Sequence, residues 1–245
     1  MPTRADIGSS PRRRGSRQAQ EPRAGFVRPK TAQQAVVEVL RNDITSGRLA
    51  PGTPIVQEAL AEQLGMSRIP IREALKSLEA EEYVTYEPHS GYRVVKLGLA
   101  ELTEVFRLRS LLEEELIRDA MSKPVAPEII AEMRLLMAEM DRAVADDDMV
   151  AVGVANRQFH YLTFEQSELS RTKRIVNQLW NMADPYRPLY ADLLDLAKVN
   201  CEHVLMTEAM AEGDVDRVIA LNHQHRSHSI DHLRRVLGAE EQPSA

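Results

Sequence analysis

The sequence predicts a mainly α-helical protein: a small N-terminal unit of three helices and a two-stranded hairpin, followed by an antiparallel all-α bundle of about six helices. Three observations predict it. Leu, Ala, Glu, Met and Arg are abundant and aromatic residues make up only 4% of the chain, a composition that favours helices over sheets. Apolar residues recur at helical spacing through nearly everything after Leu99. The β-prone residues are confined to two short runs, 83–86 and 92–95.

Residues 1–30 are rich in Pro, Gly, Ser and Arg and lack apolar periodicity, so burial cannot offset the entropy of ordering them; a disordered basic arm is expected. From Thr31, Val36, Val39, Leu40 and Ile44 mark a first helix that Ser46-Gly47 closes. After the Pro51-Gly52 turn, Val56, Leu60 and Leu64 mark a short second helix ended by Gly65. Ser67 caps a third helix, whose first turn tolerates Pro70 because an N–H there has no partner anyway. Two short helices joined by a tight glycine turn make a helix-turn-helix. The hairpin that follows, linked by Glu87-Pro88-His89-Ser90-Gly91, is then a wing. Beyond it, breaks fall at Lys123-Pro124, Asp146-Asp147-Asp148, residues 167–170, Asp184-Pro185 and Gly213-Asp214, giving the bundle. The expected domains are 31–96 and 97–237, with a disordered tail at 238–245.

Cys201 is the single cysteine, which excludes an intrachain disulfide and a Cys-based zinc finger and suits a reducing, cytoplasmic setting. No stretch approaches the roughly 18 to 20 apolar residues of a membrane span, so no membrane partner is expected. The formal charge of −6 argues against nucleic acid only if it is spread evenly. It is not: Arg12, Arg13, Arg14, Arg17, Arg23, Arg28 and Lys30 face only Asp6 and Glu21 in the arm, and most of the acidic excess lies beyond Leu97.

On the third helix, Ile71, Ala74, Leu75 and Leu78 form the packing face, and Arg68, Arg72 and Lys76 make a basic ridge beside it. An arginine in a first helical turn opposes the helix dipole unless an anion sits there, and DNA phosphate is such an anion. A guanidinium in the major groove also pairs bidentately with guanine. Ser67, Arg68, Arg72 and Lys76, with His89, Gly91 and Arg93 of the wing, are the expected DNA contacts. Pairing of the ridge with Glu73 and Glu79 on a solvated surface is the alternative.

The run Pro51-Gly52, then Leu60-Ala61-Glu62-Gln63-Leu64-Gly65-Met66-Ser67-Arg68-Ile69-Pro70-Ile71-Arg72-Glu73-Ala74-Leu75, then Leu78-Glu79 resembles the signature of the GntR family of transcription regulators. The resemblance places Arg68 and Arg72 on the family's DNA-contacting arginines and Gly91 on its wing glycine. Glu82 departs from it, standing where the family has a glycine before the first wing strand.

In the bundle the informative residues are polar side chains on apolar stripes, because burying one without a partner costs a few kcal/mol. Arg109 lies among Leu102, Val105, Leu112 and Leu116, and its charge requires an anion: Glu113, or a carboxylate ligand. Asn156 and His160 share a face with Val152, Phe159 and Thr163. His203 shares one with Leu196, Val199, Met206 and Met210, and His225 with Val218 and Leu221. One such histidine is ordinarily a hydrogen-bonded core residue. Three on three helices suggest a metal site, and imidazole suits a divalent transition metal, zinc before nickel or iron. His232 shares the face of His225 and is a substitute ligand.

This half resembles the FCD class of GntR effector domains through Glu104-Val105-Phe106-Arg107-Leu108-Arg109 with Leu112-Glu113, Asn156-Arg157-Gln158-Phe159-His160, His203 with Glu208-Ala209 and Gly213-Asp214, and His225. The resemblance implies Asn156, His160, His203 and His225 as metal ligands and a small carboxylate or sugar-acid effector. Arg109, Asn156, His160, His203, Asn222 and His225 are expected to line the effector pocket. The neutral Asn156 should hold metal more weakly than an aspartate, while a more positive site attracts an anion more strongly. The chain is therefore expected to be a homodimeric regulator, a repressor of a two-fold-symmetric double-stranded operator. A metal-free effector pocket, metal as the signal itself, and a metal-dependent hydrolase remain as alternatives; for the last, the sequence places no carboxylate or other base near the histidines specifically enough to name.

Overall fold

The computed structural model describes residues 31–193 and 196–240, apart from the side chains of 192–197, 239 and 240. The basic arm expected over residues 1–30 lies outside the described residues.

Helix α1 (Ala32–Thr45) starts on a capping box: Thr31 accepts from the Gln34 N–H and the Gln34 side chain accepts from the Thr31 N–H. It buries Val36, Leu40 and Ile44, whereas Val39 is 38% exposed, one position off the packed stripe. Helices α2 (Gln57–Gln63) and α3 (Arg68–Ala80) form the helix-turn-helix. Gly65 has φ 61° in the turn between them, a left-handed conformation that a Cβ would penalise. Ser67 does occupy the N-cap of α3, though its hydroxyl makes no capping bond, and Val56 lies just outside α2 and is exposed.

The wing strands β2 (Val84–Glu87) and β3 (Gly91–Val94) pair antiparallel, with Tyr86 opposite Tyr92. A two-residue strand, β1 (Pro54–Ile55), adds to the other edge of β3 and makes a three-stranded sheet. Glu82 has φ 65°, so the turn before the wing keeps its left-handed residue without the glycine. Ile71, Leu75 and Leu78 of α3 meet Leu40 and Ile44 of α1, Tyr83 just before the wing and Val94 of the sheet in one core.

Helices α4 (Leu99–Ala120), α5 (Pro127–Ala145), α6 (Met149–Leu162), α7 (Ser170–Ala183), α8 (Leu196–Glu212) and α9 (Val215–Glu240) form the bundle. A 3-10 segment, Asp184–Leu193, connects α7 toward α8. Helix α4 packs on α7 and α9, and α5 packs on α6 and α8. Leu116, Met133, Phe159, Val176, Met206 and Val218 fill the core. Helix α9 continues to Glu240, so the tail expected from residue 238 begins as helix, and residues 241–245 lie outside the described residues.

A polar joint connects the two parts. Arg157 of α6 donates to the Tyr83 hydroxyl at 3.2 Å and is paired with Asp184. Asn181 of α7 donates to the Glu81 carbonyl at 2.6 Å, and Gln178 to that of Ala80 at 3.1 Å. The 3-10 segment packs on α1.

Candidate functional site

Two groups of residues stand out, one on the surface of α3 and the wing and one inside the bundle. On α3, Arg68, Arg72 and Lys76 all project into solvent, with side-chain exposures of 68%, 58% and 57%. Arg68 pairs with Glu58 of α2 at 2.8 Å, while Arg72 and Lys76 lie 3.7 and 3.5 Å from Glu73. Glu79 takes no part; it accepts from the Tyr92 hydroxyl. These exposed pairs hold their partners weakly, so a stronger anion displaces them at little cost. In the wing, His89 and Gly91 take positive φ values of 68° and 81°. Arg93 turns back onto the Gly52 carbonyl at 3.3 Å and Glu87 at 3.4 Å.

Inside the bundle, helical periodicity on α6, α8 and α9 delivers His160, His203 and His225 to one point. One ring nitrogen from each lies within 4.8 Å of the others. Ring centroids are separated by 5.3 Å (His160–His203), 4.8 Å (His160–His225) and 5.0 Å (His203–His225). Burial, and then the neighbouring imidazoles, pushes His160 and His203 well below the usual histidine range. His225 is lowered by burial against the opposing pull of Glu202. Neutral imidazoles are the form that ligates metal.

Glu202 accepts from His225 Nδ1 at 2.8 Å, which turns the Nε2 lone pair of that ring toward the cluster. His228 also reaches Glu202, at 3.0 Å. Both ring nitrogens of His203 and Oδ1 of Asn156 are buried without a partner among the described residues, as is Nδ2 of Asn222. An unpartnered imidazole lone pair of His203 within reach of two further imidazoles, with the unpartnered Asn156 oxygen lining the same clefts, is what a bound cation would satisfy, so these groups fit a divalent metal; Asn222 Nδ2, a hydrogen-bond donor, could serve an anion but not the cation. His232 stands outside the three-histidine group: its Nδ1 is also without a partner among the described residues, and its ring stacks on Tyr190 at 6.2 Å.

Arg109 is buried, as its stripe requires, and Glu113 is its partner at 3.0 Å. Its guanidinium lies 3.7 Å from the centre of the Trp180 ring. Glu113 also pairs with Arg226 of α9 and accepts from Trp180 Nε1 at 3.0 Å. A small cleft of about 30 Å³ brings together Arg109, Asn156, His160, Asn222 and His225 with Arg187. Five of the six residues that the sequence proposed for an effector line this cleft, and His203 lines an adjoining one. Trp180, Arg187, Glu202 and Arg226 were missed. Glu202 and Arg226 each adjoin a histidine in sequence, but helical spacing alone does not say that both neighbours face inward. Arg187 sits in Pro185-Tyr186-Arg187-Pro188, a loop stiffened on either side of a charge, and that was the available signal.

Comparison with known proteins agrees with this two-part architecture. Residues 32–94 match the family described as bacterial regulatory proteins, gntR family, and residues 104–228 match the FCD domain. The HTH-type transcriptional regulator McbR of Escherichia coli is 30% identical over 146 residues, spanning 60% of this chain and 66% of that protein. The HTH-type transcriptional repressor GlaR of the same species is 25% identical over 195 residues, spanning 76% and 88%. A solved structure of E. coli McbR/YncC superposes with a TM-score of 0.75 at 24% identity, covering 84% of this chain and 99% of that one, which shows the shared fold.

A helix-turn-helix with a wing, joined to a helical bundle, defines a DNA-binding transcription regulator and not an enzyme. The chain belongs to the GntR family, with an FCD domain as its second part. Among the described residues no helix is long and apolar enough to cross a membrane.

Proposed function

We propose that this regulator is a cytoplasmic, homodimeric repressor whose grip on a two-fold-symmetric operator is controlled by a small carboxylate or sugar-acid effector at a metal site in the bundle. The observation that supports this reading is the convergence of three imidazoles, two buried and one partly so, beside clefts that the unpartnered Asn156 also lines. His160, His203, His225 and Asn156 would hold the ion, zinc before nickel or iron, which would supply a Lewis-acidic seat for a carboxylate oxygen. Asn222 and the Arg109 side of the cavity would orient the rest of the effector.

Residues 31–96 would bind DNA and 97–237 would sense and dimerise. Exposed Leu108 and Leu111 on α4 offer apolar surface for a second copy. Ser67, Arg68, Arg72 and Lys76 would meet the major groove and its phosphates, and His89, Gly91 and Arg93 of the wing the neighbouring backbone. The repressor role draws on GlaR, a relative that bears that name.

Metal analysis of untagged protein, beside His160→Ala, tests the site: about one divalent ion per chain, lost in the variant, is expected. Selection from a random duplex pool tests the DNA reading. It should return a palindromic site, against which Arg72→Ala loses about 1–3 kcal/mol and specificity at one base pair. Full metal content in His160→Ala, or a pool without symmetry, would count against the proposal.

A further inference from the structure

The arginine assigned to the effector from the sequence is already committed. Arg109 and Arg226 share one carboxylate, Glu113, and Arg109 is covered on one face by Trp180. Arg187 differs. It is half-buried, and among the described residues it has neither a carboxylate nor a hydrogen-bond acceptor as partner. Its stem lies over Gly153 of α6, where a Cβ would stand 3.7 Å from its Cδ. It lines the histidine cavity, the adjoining basin that contains Tyr190, Glu202 and His232, and the cleft between the bundle and α1. It stands near enough to His203 and His225 for its charge to oppose their protonation. A guanidinium partly removed from water and, among the described residues, without an anion is a natural seat for a carboxylate, which it can take bidentately.

Its place in the chain adds a consequence. Arg187 belongs to the 3-10 segment Asp184–Leu193, in which Pro185 and Pro188 restrict the backbone on both sides. Asp184 of that segment holds Arg157, which reaches Tyr83 just before the wing. Pro188 presses on Gly47 at the end of α1, its Cβ lying 3.0 Å from where a Cβ of residue 47 would be. One short, stiff element therefore lines the histidine cavity with Asp184, Arg187 and Tyr190 and meets the DNA-binding part through Pro188 and the Asp184–Arg157 pair.

We propose that Arg187 grips the anionic group of the effector and, through the segment that carries it, links occupancy of the histidine cavity to the placement of the DNA-binding part. This rests on the carboxylate-regulator reading above, and deepens it by naming the anion-binding residue and the path. Differential contact with the anion is what lets a ligand bias two placements of the segment.

The test uses zinc-loaded full-length protein titrated calorimetrically with acetate, succinate, citrate and D-gluconate, in wild type, Arg187→Gln, Arg187→Lys and Arg174→Gln. Arg174 is an exposed arginine of α7 outside the cavities. At least one anion should bind wild type and Arg174→Gln alike. Arg187→Gln should bind it roughly ten- to a hundredfold more weakly, with Arg187→Lys recovering part of the loss. The same anion should release a selected duplex from wild type and not from Arg187→Gln. Equal anion affinity in wild type and Arg187→Gln would overturn the proposal, as would failure of all four anions to bind metal-containing wild type, or anion binding without change in DNA affinity. Wild type that takes up no zinc would instead sink the metal reading beneath it, and the metal content of each sample separates the two results.

Discussion

Glu113 is the residue on which the interior of the bundle turns. It is 2% exposed, and burial alone would raise its pKa. Arg226 and Arg109 overcome that effect and hold the carboxyl below the usual carboxylate range, with Trp180 Nε1 adding a hydrogen bond. Arg226 is lowered by its own burial, but a guanidinium starts so high that both groups stay charged at neutral pH. A folded-state pKa depressed below the unfolded value contributes stability that is present above the unfolded carboxylate value and lost as pH falls through the folded one. The stability of wild type against chemical denaturant should accordingly fall as pH drops below about 4, the unfolded glutamate range. Glu113→Gln removes the carboxylate and leaves two buried guanidiniums uncompensated, which should cost about 3–5 kcal/mol at neutral pH and flatten that acid limb. A variant as stable as wild type at pH 7 would show that the arginines find another anion in the bundle.

Among the elements, what the sequence made legible follows from period. The breaks at Lys123-Pro124, Asp146-Asp147-Asp148 and Gly213-Asp214 separate helices because a 3.6-residue stripe runs unbroken between them, and the three histidines ride on those stripes. Strand β1 escaped notice because two residues carry no period, and its pairing with β3 is a long-range contact. Val39 misled because an apolar residue one position off a stripe resembles one on it. The 3-10 segment Asp184–Leu193 was read only as a break, since two prolines hide its three-residue turn. Its seat against α1 gives an element-level prediction. Gly47 has φ 79° and faces Pro188, so Gly47→Ala meets backbone strain and a close contact together. The variant should lose about 1–2 kcal/mol in urea denaturation, while Gly213→Ala, with φ 73° in open space, should lose less. Equal losses would mean that the 3-10 segment yields freely.

On the scale of the whole molecule, the apolar cores of the DNA-binding part and the bundle are distinct clusters, and what joins them is largely polar. Arg157 is the hub of that joint, bonding Tyr83, Asp184, Asn177 and Asn181, with Asn181 in turn reaching the Glu81 carbonyl. A polar joint suits a regulator, because hydrogen bonds can be exchanged between two placements without exposing a core, whereas an interlocked apolar contact resists sliding. It also makes the cooperativity of folding depend on a few side chains. Removing Arg157 deletes charge-assisted bonds worth about 1.5–3 kcal/mol each and leaves Asp184 without its guanidinium. Scanning calorimetry of wild type should show one transition in which both parts melt together. Arg157→Ala should split it, with the smaller DNA-binding part melting first and the bundle, which loses the Arg157 bonds to Asn177 and Asn181 but keeps its apolar core, melting later. A single transition moved as a whole to lower temperature would instead place the coupling in the packing of α1 on the 3-10 segment, and would make Gly47 and Pro188, rather than Arg157, the hinge between sensing and DNA binding.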